Sequence, residues 1–441
     1  MKRLKILMVA YACEPGKGSE PGVGWNWAEQ AARIGHEVHV ITRKNNQKVI
    51  ESEGQIPPHV HLVFHYIDLP PSVCALKKRL GYLALPIYYY CWQFLVWRKA
   101  KELSNHHDFD FVHHVTFVID WLPSGLCFLP IPFIWGPVGG STHSIPPIIK
   151  THLPIKARIE ESLRRFIQNG MKYCDPWLAF TRHRAQLILV YTTEGLAGIP
   201  LKFQHKTRVI AHIGVNEAGN IDKFDGSCAF PPTSDFNILS NGRLVPWKGH
   251  DLLILGFSRY LELTQNSSHL IITGEGPYRS HLESMIQKSG YSDNIRLIGH
   301  LPSRNDVYRT LDECDIYALL TSRDGPPVSM IEAMHAGCPI LCLDTGVTKE
   351  LVPSDAKLAI PVQQSNYNQL IDTIAYKLKW AFLNKQRLPE MGQTGKGFIR
   401  QCHTWDQIGK KLKEIYEQQY HTATREKTAS TPNMTNSQIA K

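Results

Sequence analysis

Apolar residues in this chain fall into short uninterrupted runs, separated by longer stretches in which they recur every three or four positions. Short runs suit strands buried on both faces and the longer period suits amphipathic helices, so the alternation predicts strand–helix–strand units with parallel sheets. A first series places strands at Ile6–Ala10, Val38–Thr42, Val60–Phe64, Phe111–Val115, Ile131–Trp135 and Leu187–Tyr191. A second series places them at Phe236–Ser240, Leu270–Thr273, Ile295–Ile298, Ile316–Leu320, Ile340–Leu343 and Leu358–Ile360. Between the two lies Glu217–Ser234, rich in Gly, Asp, Ser and Pro, which reads as a linker. The fold class predicted is therefore α/β, with two Rossmann-like parallel-sheet domains at 1–222 and 235–395. Trp405–Gln419 has the period of a last amphipathic helix, whereas 421–441 is polar and aperiodic and predicts a disordered tail.

Helix punctuation supports the second series. Ser303 with Asp306 has the spacing of a capping box, Pro326-Pro327 suits a first helical turn, and Gly337 suits the end of that helix. The apolar start, Ile6–Ala10 behind Lys2, Arg3 and Lys5, imitates a secretory leader. It is short, lacks a small-x-small cleavage pattern and runs directly into glycines, so a first strand is the better reading. Tyr82–Trp97 is the most apolar window, yet it contains Pro86 and Gln93 and falls short of the ~18 residues that span a bilayer. Lys77-Lys78-Arg79 and Arg98-Lys99 flank it. Both a buried helix and an interfacial membrane helix satisfy that pattern.

Composition narrows the picture in two places. With 49 basic and 39 acidic residues the net charge is +10, which favours phosphates, nucleic acid or an anionic membrane as partners. The ten cysteines are scattered, mostly in apolar runs, with no Cys-x-x-Cys pair, which predicts free thiols and a reducing compartment.

In open α/β sheets ligands bind beyond the carboxyl ends of the strands, so the loops there are where chemistry is sought. The first, Glu14–Trp25, holds four glycines, among them Gly18 and Gly22, between a strand and a helix, where backbone amides can approach a phosphate. Asn241–Gly249 carries Arg243, a planar fork for phosphate oxygens, and Lys248, a point charge; two cations on one loop suit a diphosphate. Gly274 and Gly276 follow one strand and Gly299 another, and each group alone is also an ordinary turn. In Ser322–Pro339, Asp324 precedes a helix that contains Glu332, followed by Gly325 and Pro326 at the helix start. The helix start offers free amides, and the two carboxylates can accept hydrogen bonds from sugar hydroxyls.

Taken in order, Gly18–Gly22, His113-His114, Trp135–Gly140, Arg243 with Lys248, Gly274–Gly276 and Asp324–Glu332 resemble the retaining glycosyltransferases of family 4 over nearly the whole chain. The resemblance implies the GT-B architecture: two Rossmann-like domains facing a central cleft, the first completed by the C-terminal helix, 400–420, and the second holding a nucleotide-sugar donor. It implies that Arg243 and Lys248 hold the donor diphosphate, that Glu332 holds the ribose and that Asp324 meets the donor sugar. The family usually has Glu at that first acidic position and a Gly-Phe-Gly-like run after it, where this chain has Asp324 and Gly-Pro-Pro. The shorter carboxylate bears on which sugar is used. A strand-end histidine commonly faces that sugar, and strand alternation allows one of His113 and His114 to do so; His114 is the candidate. Gly139 and Gly140 are implied on the acceptor side.

Asp108-Phe109-Asp110 has the spacing of an Asp-x-Asp metal motif, with His106, His107, His113 and His114 nearby. Both aspartates precede their strand, at the wrong end for the ligand loops, and an extended backbone at ~3.3 Å per residue separates the two histidine pairs by roughly 20 Å. No metal ligand and no cofactor are expected. The activity implied is metal-independent, retaining transfer of a sugar from a nucleoside diphosphate to an acceptor hydroxyl, as in bacterial cell-envelope or exopolysaccharide assembly. The implied partners are the nucleotide-sugar, a lipid-linked or saccharide acceptor and an anionic membrane surface, with no nucleic acid. The implied location is the cytoplasm, at the inner face of the plasma membrane. Two rival classes stay open at this stage: a nucleotide-dependent oxidoreductase or epimerase, and a non-catalytic homologue serving as an interaction protein.

Overall fold

The computed structural model describes residues 2–54, 56–57, 59–80, 84–140, 144–216, 229–323 and 325–429. Most of the predicted linker, 217–228, lies outside them. Packing divides the chain into two units, 1–139 with 170–212 and 405–441, and 140–169 with 213–404. The segment 140–169, inside the range read from sequence as the first domain, packs with the second: Ile145, Ile149 and Leu153 enter its core.

The first unit carries a seven-stranded sheet: β1 (Lys5–Ala10), β2 (Glu37–Arg43), β3 (His61–Ile67), β4 (Phe111–Thr116), β5 (Phe133–Val138), β6 (Ala185–Val190) and β7 (Thr207–Val209). Its order is β3-β2-β1-β4-β5-β6-β7, and every pairing is parallel. The order reverses between β1 and β4, so the crevice beyond their carboxyl ends is the ligand position of such a sheet. β4 is buried at every residue, as a central parallel strand covered on both faces must be.

The helix Leu85–Ser104 covers that sheet. Tyr88, Tyr89, Trp92, Gln93 and Val96 are buried, with the Gln93 carboxamide oxygen accepting from Gly125 N at 2.8 Å. Burying a polar amide requires such a partner, and a helix lying flat in lipid would supply none. The buried-helix reading therefore holds for this face. Ile87, Cys91, Phe94 and Arg98 form an exposed stripe on the other. Among the described residues no helix is long and apolar enough to cross a membrane.

The C-terminal helix Trp405–Ala429 lies in the first unit, with Ile408, Leu412 and Tyr416 fully buried. It runs through 421–429, which the sequence placed in a disordered tail; no proline or glycine stands between Gly409 and Ala429 to stop it. Residues 430–441 lie outside the described residues.

The second unit carries a six-stranded parallel sheet: β8 (Phe236–Asn241), β9 (Ser268–Thr273), β10 (Ile295–Gly299), β11 (Ile316–Leu319), β12 (Ile340–Leu343) and β13 (Lys357–Ile360). Its order is β10-β9-β8-β11-β12-β13, reversing between β8 and β11. The Ser303–Asp306 capping box forms as predicted, and Gly337 closes its helix at φ 98°. The described cysteines are all free thiols.

Candidate functional site

The loop after β8, Gly242–Gly249, meets the loop after β11, Leu320–Pro327, at the reversal point of the second sheet. Ser322 N donates to Trp247 O at 2.9 Å, and Ser322 Oγ donates to the same carbonyl at 3.2 Å. Gly249 holds φ +73° with its α-carbon facing Leu320, so an added Cβ would stand 2.2 Å from Leu320 O. Only glycine permits that approach.

On the other side, the same loop is joined to those after β9 and β10. Gly242 N donates to Thr273 O, Leu244 N to Glu275 O, Tyr278 N to Leu244 O and Gly274 N to Gly299 O. A Cβ on Gly274 would lie 2.1 Å from Gly242 O, and one on Gly276 2.2 Å from Leu244 O. Gly299, at φ +75°, would meet the Glu275 carboxylate at 2.9 Å. The structure thus brings Arg243, Lys248, Gly274, Gly276 and Gly299 onto neighbouring loops at one end of the sheet. Arg243 is exposed; Lys248 is half-buried.

The helix Val328–Ala336 follows the fourth loop. Gly325 and Pro326 precede it, whereas Asp324 lies outside the described residues. Glu332 is 8% exposed, and its carboxylate accepts from Arg304 at 2.8 Å. Burial pushes its pKa up while the Arg304 charge pulls the other way. Arg304 comes from the first turn of the helix Arg304–Glu313, and the sequence reading, which sought a hydroxyl partner for Glu332, did not identify it. The position before Asp324 is anchored: the Arg323 guanidinium lies 4.1 Å over the Trp247 ring and pairs with buried Glu161, which also accepts two bonds from Arg164. His250, also missed, is fully enclosed at the start of the next helix, with Nδ1 3.2 Å from Ser240 Oγ and its pKa pushed down by burial to about 3.

In the first unit the glycine loop and the loop after β4 are stitched together at the β1–β4 reversal. Ala12 N donates to Thr116 Oγ1, which donates back to Ala12 O, and Phe117 N donates to the Glu20 carboxylate. Gly18 is the exposed residue before the helix Ser19–Arg33, and a Cβ on Gly22 would lie 2.0 Å from Lys17 O. Gly139 packs against Tyr191, whose hydroxyl would be 2.7 Å from an added Cβ; the next residue, half-buried Gly140, opens the segment that packs with the second unit.

His113 and His114 point to opposite faces of β4, and neither reaches the surface. His113 Nε2 bonds the Gly136 carbonyl, which only accepts, so that nitrogen carries the proton and Nδ1 accepts from the Tyr416 hydroxyl, both at 2.8 Å. His114 Nδ1 is 3.0 Å from Ser124 Oγ, and burial pushes its pKa down to about 3. It is a neutral ring at the base of the Ser124 turn.

Residues 229–390 match the family model of group 1 glycosyl transferases, a span that takes in all four loops of the second sheet. Two bacterial relatives overlap the chain. One is the N-acetylgalactosamine-N,N'-diacetylbacillosaminyl-diphospho-undecaprenol 4-alpha-N-acetylgalactosaminyltransferase of Campylobacter jejuni, 26% identical over 155 residues, 34% of this chain and 40% of that protein. The other is a GDP-mannose-dependent monoacylated alpha-(1-6)-phosphatidylinositol monomannoside mannosyltransferase of Corynebacterium glutamicum, 26% identical over 187 residues, 41% of this chain and 46% of that protein. The chain spans about half the length of the curated relatives it matches. Sucrose-phosphate synthase of Thermosynechococcus elongatus superposes with a TM-score of 0.65 over 95% of this chain and all of that one, at 16% identity, a likeness of fold alone. That fold is GT-B, with its two Rossmann-like domains.

Proposed function

With a group 1 glycosyl transferase domain at residues 229–390 of a GT-B chain, we propose that the protein transfers a sugar, with retention, from a nucleoside diphosphate donor to an acceptor hydroxyl. The observation that carries this reading is the joined set of loops at the β8–β11 reversal, which presents Arg243 and Lys248 beside the helix that bears Glu332. Departure of a diphosphate develops charge on its bridging oxygen. Fixed cations and amides aimed at that position stabilise the transition state without reorganising, which is the chemistry this end of the sheet offers. Glu332 has one carboxylate oxygen on Arg304 and a second with which to accept from ribose hydroxyls. Asp324 is assigned to the donor sugar and Gly325-Pro326 to the turn that presents it. His114, enclosed behind Ser124, is a positioning residue for the Ser124 turn of the first unit. The Gly18–Gly22 turn of the first unit is assigned to the donor phosphate, and Gly139-Gly140, where the chain passes from the first unit to the second, to the acceptor.

We assign the acceptor to the lipid-linked or saccharide class of a bacterial envelope or exopolysaccharide route, acting at the inner face of the plasma membrane. The names of the two bacterial relatives above include a diphospho-undecaprenol-linked saccharide and a monoacylated phosphatidylinositol monomannoside, both lipid-linked. A Rossmann oxidoreductase or epimerase is not favoured by the comparisons. The test is a thermal-shift screen of UDP, GDP, ADP and CMP with their sugars. One nucleoside diphosphate is expected to raise the melting temperature, and its sugar to be consumed in the presence of EDTA at the rate seen without it. No shift with any nucleotide would remove the assignment, and activity lost in EDTA and restored by Mg²⁺ or Mn²⁺ would remove its metal independence.

Membrane attachment is expected to be peripheral. Ile87 (65% exposed) and Phe94 (49%) stand on one stripe with Arg98, and the segment before that helix is basic. Juxtamembrane cations contribute about 1 kcal/mol each near an acidic leaflet, screened over ~8 Å at physiological salt. Co-sedimentation with anionic vesicles should fall as salt rises, and should fall further in Ile87→Glu/Phe94→Glu and in the reversal of Lys77, Lys78 and Arg79 to Glu. Equal binding to neutral vesicles would refute it.

A further inference from the structure

We infer that Glu37, His39 and His107 form a binding site for one divalent transition-metal ion, of which Zn²⁺ fits best, at the amino-terminal edge of the first sheet. Among the described residues one group of three such side chains brings its ligand atoms together: an atom from each of Glu37, His39 and His107 lies within 4.8 Å of the other two. Glu37 and His39 are two apart on β2, hence on one face of the strand. His107 arrives from the turn between the helix Leu85–Ser104 and β4, and its ring centroid is 4.5 Å from that of His39.

Two imidazoles and a carboxylate, with water in the fourth position, are an ordinary donor set for Zn²⁺. Bonds of about 2.0–2.2 Å put tetrahedral ligands about 3.3 Å apart. His39 Nε2 and Glu37 Oε1 are already 3.1 Å apart. The remaining contraction falls on His107, which sits on a turn and is only half-buried.

A fourth side chain orients the central ligand. His39 Nδ1 is 3.0 Å from His65 Nε2, and the two rings stack at 12°. Without metal, the carboxylate can only accept, so His39 Nε2–H donates to Glu37 and Nδ1 accepts from His65 Nε2–H. Coordination by Nε2 needs the other tautomers: His39 Nδ1–H donating to His65 Nε2, and His65 protonated at Nδ1. The proton count is unchanged. A ring nitrogen that hydrogen-bonds outward behind a ligand fixes its orientation.

Lys5, 3.3 Å from Glu37, and Arg3, 3.6 Å away, compete for the carboxylate, but both reach solvent and can turn into it. The histidines considered from sequence divide here. His113 and His114 are committed inside β4, and His107 alone belongs to the site.

The site sits at the amino end of β2, the opposite end from the ligand loops, so the ion would tie β2 to the turn before β4 and take no part in transfer. The full chain, stripped with EDTA and exchanged into metal-free buffer, is titrated with ZnCl₂ by calorimetry and with Co²⁺ by visible absorption. One Zn²⁺ per chain, a raised melting temperature and a tetrahedral Co²⁺ spectrum are expected. His107→Gln and Glu37→Gln, with metal-free melting temperatures like that of the parent, should each lower the affinity at least about 100-fold, and His65→Gln, acting through His39, by about 10-fold. The idea fails if the parent does not bind Zn²⁺, or if His107→Gln and Glu37→Gln bind it as the parent does, which would place the ion elsewhere among the 21 histidines.

Discussion

Lys248→Ala is expected to lower kcat for sugar transfer by about 100-fold or more, the range found when one preorganised group facing developing charge is removed, and Glu332→Ala to lower kcat/KM for the donor through a raised KM. The melting temperature should stay near that of the parent. Lys248 is half-buried on a loop, and substitutions at such positions commonly change stability by no more than about 0.5 kcal/mol. Glu332 is the harder case because it is buried and paired. Removing one partner of a buried pair can cost ~3–5 kcal/mol when it strands the other charge. Here the stranded partner is Arg304, whose side chain is 39% exposed, so water replaces the lost carboxylate and the cost stays near that of a surface pair, about 1 kcal/mol or less. The two variants should differ in kinetics. Losing Lys248, assigned to the leaving diphosphate, should lower kcat; losing Glu332, assigned to the ribose, should mainly raise KM for the donor. Normal turnover in a normally folded variant would remove the role given to that residue.

The central strands were legible because in both parallel sheets they are covered on both faces, which writes each of them as a compact apolar run. β7 was not: Thr207–Val209 is an edge strand whose Arg208 and Val209 are exposed, so it carries no run to read. The positions of the site loops followed from the strand ends, since such loops must emerge there. What could not be read was which loop residues meet. Arg304 and Glu332 are 28 residues apart, and Glu161 and Arg323 are 162 apart. Arginine at a helix start, or glutamate within a helix, signals nothing about a partner on another element. The β4 histidines show the complementary limit. Strand alternation correctly sends them to opposite faces, but it carries no information on whether a face is open, and for a central parallel strand both are closed.

Gly276→Ala is expected to abolish donor binding although it adds only one methyl group. Its Cβ would stand 2.2 Å from Leu244 O and 2.7 Å from Leu244 C, both backbone atoms of the loop that carries Arg243 and Lys248. A flexible side chain could move aside; a backbone held by Leu244 N donating to Glu275 O and Tyr278 N donating to Leu244 O cannot shift without opening both bonds. Overpacking of this kind costs about 1–3 kcal/mol in a rigid setting, and its release would carry the two cations away from the position a diphosphate needs. A misplacement of about 1 Å can cost about 100-fold in rate. Gly290→Ala is the matched control. Gly290 also adopts a left-handed conformation, at φ +78°, but an added Cβ there meets nothing within 4 Å, so the variant bears only the backbone cost of roughly 1 kcal/mol. A nucleotide thermal shift lost in Gly276→Ala and kept in Gly290→Ala, both still showing cooperative melting, is the expected result. Loss in both, or in neither, would mean that close packing of the loops after β8 and β9 is not what sets the donor site.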